Sequence, residues 1–145
     1  KIIKDFDPSI PDLFIDSYLI ENSILNLTKN ARDALIDSNT SNPEINIVTR
    51  ISHGEMIDGE KNAMVCKISI IDNGPGIHEE IKESIFFPMI TGKDKGTGLG
   101  LSITQGIISQ HKGNIHFTSE PNRTEFFINI PVNTQKDIDL KTSNG

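Results

Sequence analysis

The chain has 145 residues, 35% of them apolar and 23% charged, with a net charge of −6. That balance suits one globular domain with a single core and argues against a nucleic-acid or membrane-surface binder. One cysteine, Cys66, excludes a disulfide framework and a cysteine metal cluster, and no apolar run reaches the ~20 residues of a bilayer span.

The first residues, Lys1-Ile2-Ile3-Lys4, read as a strand and carry neither an initiating Met nor a signal peptide, so a piece of a longer protein is expected. Residues 1–6 form this strand, which Asp7-Pro8 and Pro11 end. Residues 17–37 predict a helix: Ile20, Ile24, Leu27, Ala31 and Leu35 recur at steps of three and four, and Asp16 or Ser17 caps its start. A strand follows at 44–51. The polar stretch 52–62, with Gly54 and Gly59, reads as a long hairpin connection to a strand at 64–71, where Cys66 is a small buried apolar residue.

Asp72-Asn73-Gly74-Pro75-Gly76 closes that strand, and 79–85 allow a short helix. Residues 86–98 carry no clear periodicity. A helix is predicted at 99–111, with Ile103, Ile107 and Ile108 inward, His111 and Lys112 at its negative end, and Gly113 as a left-handed cap. Residues 114–119 and 124–131 form a hairpin around Glu120-Pro121-Asn122. Residues 133–145 read as a polar, frayed tail. Strands joined without helices require a mixed, mostly antiparallel sheet, and the two main helices then cover one face. The expectation is an α+β fold, a two-layer α/β sandwich, over 1–132.

Three segments carry candidate chemistry. Gly96-Thr97-Gly98-Leu99-Gly100-Leu101 opens the second long helix, and glycines before a helix N-terminus allow backbone N–H groups to cradle an anion; a flexible surface loop is the plain alternative. The chain has no G-x-x-x-x-G-K-[ST] run, so this is not a P-loop, and it misses the dinucleotide fingerprint because its third glycine falls one position early. Asn26, Asn30 and Asp33 share one face of the first helix at i, i+4, i+7. They are either a solvated stripe or amide oxygens for a hard cation such as Mg²⁺. Asp72 follows an apolar strand at the sheet edge, where a carboxylate needs strong donors. An exocyclic amine such as that of adenine is one, and a plain turn the other reading.

In sequence order, Asn26-Leu27-Thr28-Lys29-Asn30-Ala31, Asp72-Asn73-Gly74-Pro75-Gly76-Ile77, Phe86-Phe87-Pro88 and Gly96-Thr97-Gly98-Leu99-Gly100-Leu101 resemble the N, G1, F and G2 boxes of the GHKL (Bergerat-fold) ATPases, with the spacing of sensor histidine kinases. Asp5-Phe6-Asp7-Pro8-Ser9-Ile10-Pro11, Phe87-Pro88-Met89-Ile90-Thr91-Gly92-Lys93, His116-Phe117-Thr118-Ser119 and Thr124-Glu125-Phe126 are similar to the nitrogen-regulation branch of those kinases.

The resemblance implies ATP and Mg²⁺ as cofactors. Asn30 then coordinates Mg²⁺, with Asn26 near the metal and phosphates. Asp72 takes the adenine amino group, and Gly74, Gly76 and Ile77 form the adenine-side hinge. Thr91, Lys93, Gly96, Thr97, Gly98, Leu99, Gly100 and Leu101 belong to the lid and phosphate loop, with Lys93 a candidate phosphate contact. Asp33 departs from the pattern, because many members carry a basic residue there, and Lys29 and Arg32 point elsewhere on the helix. Hydrolase branches carry a Glu where this chain has Asn26. A neutral amide cannot take a proton from water, so phosphoryl transfer is expected over hydrolysis. A GHKL-type hydrolase of the chaperone or mismatch-repair branch and a non-catalytic nucleotide-sensing module are the alternatives.

His53, His78, His111 and His116 lack the acid-flanked His-Pro pattern of the phosphoacceptor. The resemblance therefore implies that the acceptor lies in an upstream dimerisation domain, in a homodimeric, cytoplasmic protein. An NtrC-type response regulator and a PII-type signal protein would be its partners, with no nucleic acid and no membrane segment.

Overall fold

The computed structural model describes residues 1–88, 100–133 and 142–145. Its element order is β1 (Ile2–Phe6), α1 (Ser17–Asp37), β2 (Ile45–Ile57), β3 (Glu60–Asp72), α2 (Glu79–Lys82), α3 (Gly100–Gln110), β4 (Asn114–Glu120) and β5 (Arg123–Pro131). The strands form one five-stranded sheet in the order β1-β2-β3-β5-β4. β1 and β2 are parallel because α1 carries the chain back between them, while the other pairs are antiparallel. The helices pack on one face of this mixed sheet, so the two-layer α/β sandwich holds.

α1 occupies the residues its periodicity indicates. The Asp16 carboxylate accepts from the Leu19 N–H at 3.0 Å, which caps an otherwise orphan donor. Leu27, Ala31 and Leu35 are buried with Ile108 of α3 against Ile68, Ile70, Ile115, Ile128 and Ile130 of the sheet. Full burial of each branched side chain contributes roughly 1.5–3 kcal/mol, and this layer fixes where α1 and α3 lie. Cys66 is buried in the same cluster, as its sequence context implied.

Three readings are corrected. The stretch 52–62 is not a long connection: strand pairing continues from Ser52↔Val65 to Ile57↔Glu60. The chain reverses at Asp58 and Gly59, whose φ values of 49° and 81° make the tight turn that matches strand twist. The polar composition reflects a hairpin end that is exposed at Glu55 and Met56, while Ile57 beside the turn is buried. In α3, Ile103 is 56% exposed and Thr104 is 2% exposed, so the inward face runs through Thr104 and Ile108 rather than Ile103. Finally, the left-handed residue after α3 is Lys112, with φ 60°. Gly113 serves close packing: a β-carbon there would collide with the Asn129 carbonyl oxygen and stand 3.0 Å from Ile108 Cγ2.

Candidate functional site

Asn26 lies on the flank of α1 that faces α3. Its amide Nδ2 donates to Thr104 Oγ1 at 3.0 Å. The last residue of the glycine run stands against the same amide, since a β-carbon on Gly100 would be 2.8 Å from Asn26 Oδ1 and 2.9 Å from Nδ2. Only a residue without a side chain brings the start of α3 this close. The start of α3, the positive end of its helix dipole, thus abuts Asn26 of α1. Asn30, one turn further along, is half-buried on the same flank. Leu101 packs against the core.

Asp72 is at the other end of α1. It ends β3 on the core-facing parity shared with Cys66, Ile68 and Ile70, and is 7% exposed. Its Oδ1 accepts from the Gly74 N–H at 2.9 Å, one of the strong donors a buried carboxylate requires. A β-carbon on Gly74 would meet that oxygen at 2.8 Å and Leu35 Cδ2 at 3.5 Å, so the glycine turn folds directly over the carboxylate and the C-terminal turn of α1. Gly76 has φ 89°, and its Cα faces the Glu120 carbonyl closely enough that a β-carbon would be 3.0 Å from that oxygen. The Ile77 N–H then donates to Ser119 Oγ at 2.8 Å.

Asn26 and Leu35 are separated by about 14 Å along α1 at ~1.5 Å per residue. Asn26 and the start of α3 therefore lie towards the N-terminal half of α1, and Asp72 with its glycine turn lies at its C-terminal end. The structure brings together Asn26, Gly100 and Leu101, with Asn30 on the same flank, and at the far end Asp72, Gly74, Gly76 and Ile77. Thr91, Lys93, Gly96, Thr97, Gly98 and Leu99 lie outside the described residues. Arg32 donates to the carboxylate of the neighbouring Asp33, itself on the amide stripe, at 3.0 Å. Phe86 packs on the core and tilts against Phe117 at 6.1 Å between ring centres, whereas Phe87 is 62% exposed.

Two polar residues here had no assigned role. Thr124 is 5% exposed and pairs with Asp72 across β3 and β5. Its hydroxyl is 2.8 Å from Ser119 Oγ. The available signal was parity: Thr124 occupies the inward register of β5 shared with Phe126, Ile128 and Ile130, where a hydroxyl interrupts an apolar series. Thr104 is a third such residue, on the buried stripe of α3. Among the described residues no group of three or more His, Cys, Asp or Glu is placed to hold a metal. A cation here would take an amide oxygen together with ligand oxygens and water, a donor set that suits Mg²⁺.

The family model described as histidine kinase-, DNA gyrase B- and HSP90-like ATPase matches residues 15–134. The sensory histidine kinase/phosphatase NtrB of Salmonella typhimurium is 41% identical over 132 residues, covering 91% of this chain and 37% of that protein. NtrB of Vibrio alginolyticus is 41% identical over 131 residues, covering 90% and 37%. The chain thus spans little more than a third of the length of these relatives. Among solved structures, the catalytic domain of histidine kinase ThkA in a nucleotide-free form superposes with a TM-score of 0.69 at 31% identity, covering 90% of this chain and 79% of that one.

Proposed function

Because the chain belongs to the histidine kinase-, DNA gyrase B- and HSP90-like ATPase family, as an ATP-binding catalytic domain of the sensor-kinase type, we propose that it binds Mg·ATP along the α1 flank and donates the γ-phosphoryl group to a histidine on a separate dimerisation domain. The observation that carries this reading is the contact of Gly100 with Asn26 at one end of α1 and of Gly74 with Asp72 and Leu35 at the other. These contacts put a phosphate-compatible helix end beside one end of α1 and an amine-compatible carboxylate beside the other.

In this reading Asp72 accepts from the adenine amino group, and Gly74, Gly76 and Ile77 hold the backbone clear of the base. Asn30 holds Mg²⁺ with Asn26 beside it. Thr91, Lys93, Gly96, Thr97, Gly98, Leu99, Gly100 and Leu101 make up the lid and phosphate bed, with Lys93 touching the phosphate chain. The ion, when bound, neutralises charge on the phosphates. Asn26 cannot serve as a general base, so water is a poor acceptor and the phosphoryl group is kept for the histidine, whose ring nitrogen forms the new bond to phosphorus as the bond to ADP breaks.

The likeness to NtrB supports a role in nitrogen-regulation signalling within a cytoplasmic homodimer, with an NtrC-type response regulator and a PII-type signal protein as partners. No helix of the described residues is long and apolar enough to cross a membrane. The test is label transfer from γ-labelled ATP to an added dimerisation domain of a relative. Mg²⁺-dependent labelling of that domain, with slow hydrolysis by the chain alone, is the expected result. Fast hydrolysis by the isolated chain favours a hydrolase. Binding without transfer favours a nucleotide-sensing module.

A further inference from the structure

We propose that Ser119 is a positioning residue that sets the hydrogen-bond polarity at the base end of the site and so selects adenine over 6-oxopurines; this rests on the ATP-site reading above. Ser119, Thr124 and Asp72 form a row across three strands, since Ser119 pairs with Thr124 and Thr124 with Asp72. The Ile77 N–H donates to Ser119 Oγ at 2.8 Å, and Ser119 Oγ is 2.8 Å from Thr124 Oγ1.

A hydroxyl has one hydrogen to give. Ser119 already accepts from Ile77, and among the described residues Thr124 Oγ1 is the hydrogen-bond partner in reach of its own hydrogen. A part-buried hydroxyl uses such a partner. In the proposed arrangement the bonds run from the Ile77 N–H to Ser119, and from the Ser119 hydroxyl to Thr124. That direction leaves the Thr124 hydrogen to point out of the row, beside Asp72.

The base end then presents a donor next to an acceptor. Adenine offers the complement, an amino donor at C6 beside the N1 acceptor. A 6-oxopurine reverses both, with an acceptor oxygen at C6 and an N1–H donor. A site built around a fixed donor and acceptor rejects the reversed pattern, because both buried groups are left unpaired.

The arrangement is held from both sides. The Asn122 N–H donates to the Gly74 carbonyl at 2.9 Å, and Lys82 Nζ donates to the Ser119 carbonyl at 2.9 Å. Gly76 lies against Glu120 and Ser119. The segment that carries Ile77 is thereby strapped to the β4–β5 hairpin, which keeps the Ile77 N–H on the Ser119 oxygen.

The experiment is calorimetric titration of the full chain with Mg·ATP and with Mg·ITP, the inosine nucleotide. It compares the unsubstituted chain with Ser119→Ala, Ser119→Thr and Ser119→Cys. The expected result for Ser119→Ala is a loss of about tenfold in ATP affinity, the scale of one net hydrogen bond, with ITP affinity unchanged or raised, so the ATP-to-ITP preference narrows. Ser119→Thr, which keeps the hydroxyl, restores the preference. Ser119→Cys, whose thiol is a weak donor, narrows it as Ala does and replaces Ala if that variant does not fold. Equal loss for both nucleotides, or an unchanged ratio in Ala and Cys, overturns the proposal. Failure of the unsubstituted chain to bind ATP instead overturns the ATP-site reading itself.

Discussion

Gly100 of α3 stands so close to Asn26 of α1 that a β-carbon on the glycine would be 2.8 Å from the Asn26 side-chain oxygen. The two residues are far apart in the chain, yet together they set the spacing between the helices at the phosphate end of the proposed site. Replacing Gly100 by Ala should push the Asn26 amide away and break its bond to Thr104. Overpacking of this kind costs ~1–3 kcal/mol. The outcome expected is a lower melting temperature and weaker Mg·ATP binding, read by thermal unfolding and nucleotide titration of the same sample.

The glycines of α3 and its exit separate by role. Gly113→Ala forces a β-carbon onto the Asn129 carbonyl and the Ile108 side chain. Backbone cannot yield cheaply, so destabilisation of at least ~1–3 kcal/mol is expected. A β-carbon on Gly106 meets nothing within 4 Å. Gly106→Ala should stabilise by ~0.5–1 kcal/mol through helix propensity alone. Denaturant unfolding of the two variants checks the opposite signs.

Burial pushes the Cys66 thiol up to about 11, above the reference value of 9.0, with a lesser contribution from the Asp7 charge. The thiol should therefore resist alkylation in the folded chain at neutral pH and react on unfolding, as mass spectrometry will show. The linkage has a definite sign. The raised value contributes stability that is fully present below pH ~9 and is lost as pH rises to about 11. Cys66→Ser or Cys66→Ala should flatten the alkaline limb of the stability profile.

At the acid end the Asp7 carboxylate is held below its usual value, first by the Ser9 hydroxyl, then by the Ser9 and Ile51 N–H groups. The Ser9 bonds, at 2.6 and 2.9 Å, close a local turn, and the Ile51 bond, at 3.1 Å, ties the end of β1 to β2. A depressed carboxylate contributes stability above its unfolded value of 3.8 and loses it as pH falls further. Asp7→Asn should lower stability at neutral pH and blunt the acid limb, measured by chemical unfolding between pH 3 and pH 6.

α1 was legible in full because its signals agree: a capping Asp16, an apolar stripe at helical spacing and a polar end. The β2–β3 hairpin was not, because its outer half is largely exposed from His53 to Met56, and the single buried Ile57 makes no alternation. Only the Asp58-Gly59 pair marked its tight turn. Ile103 read as inward because composition ranks Ile above Thr. Packing instead buries Thr104, which has Asn26 as a hydrogen-bond partner. At the site, Asp72, Asn26 and the glycines were legible as motifs. Ser119 and Thr124 act through strand register, which no local pattern reveals until β3, β5 and β4 are aligned.

The most direct test of the ATP site is the Mg²⁺-dependent affinity of the chain for ATP with Asp72→Asn, set beside the unsubstituted chain. The account predicts Mg²⁺-dependent binding that weakens at least tenfold, about 1.4 kcal/mol, because the amide cannot replace a carboxylate that accepts from both Gly74 and the base. Unchanged affinity in Asp72→Asn, in a variant that melts as the parent does, would contradict it.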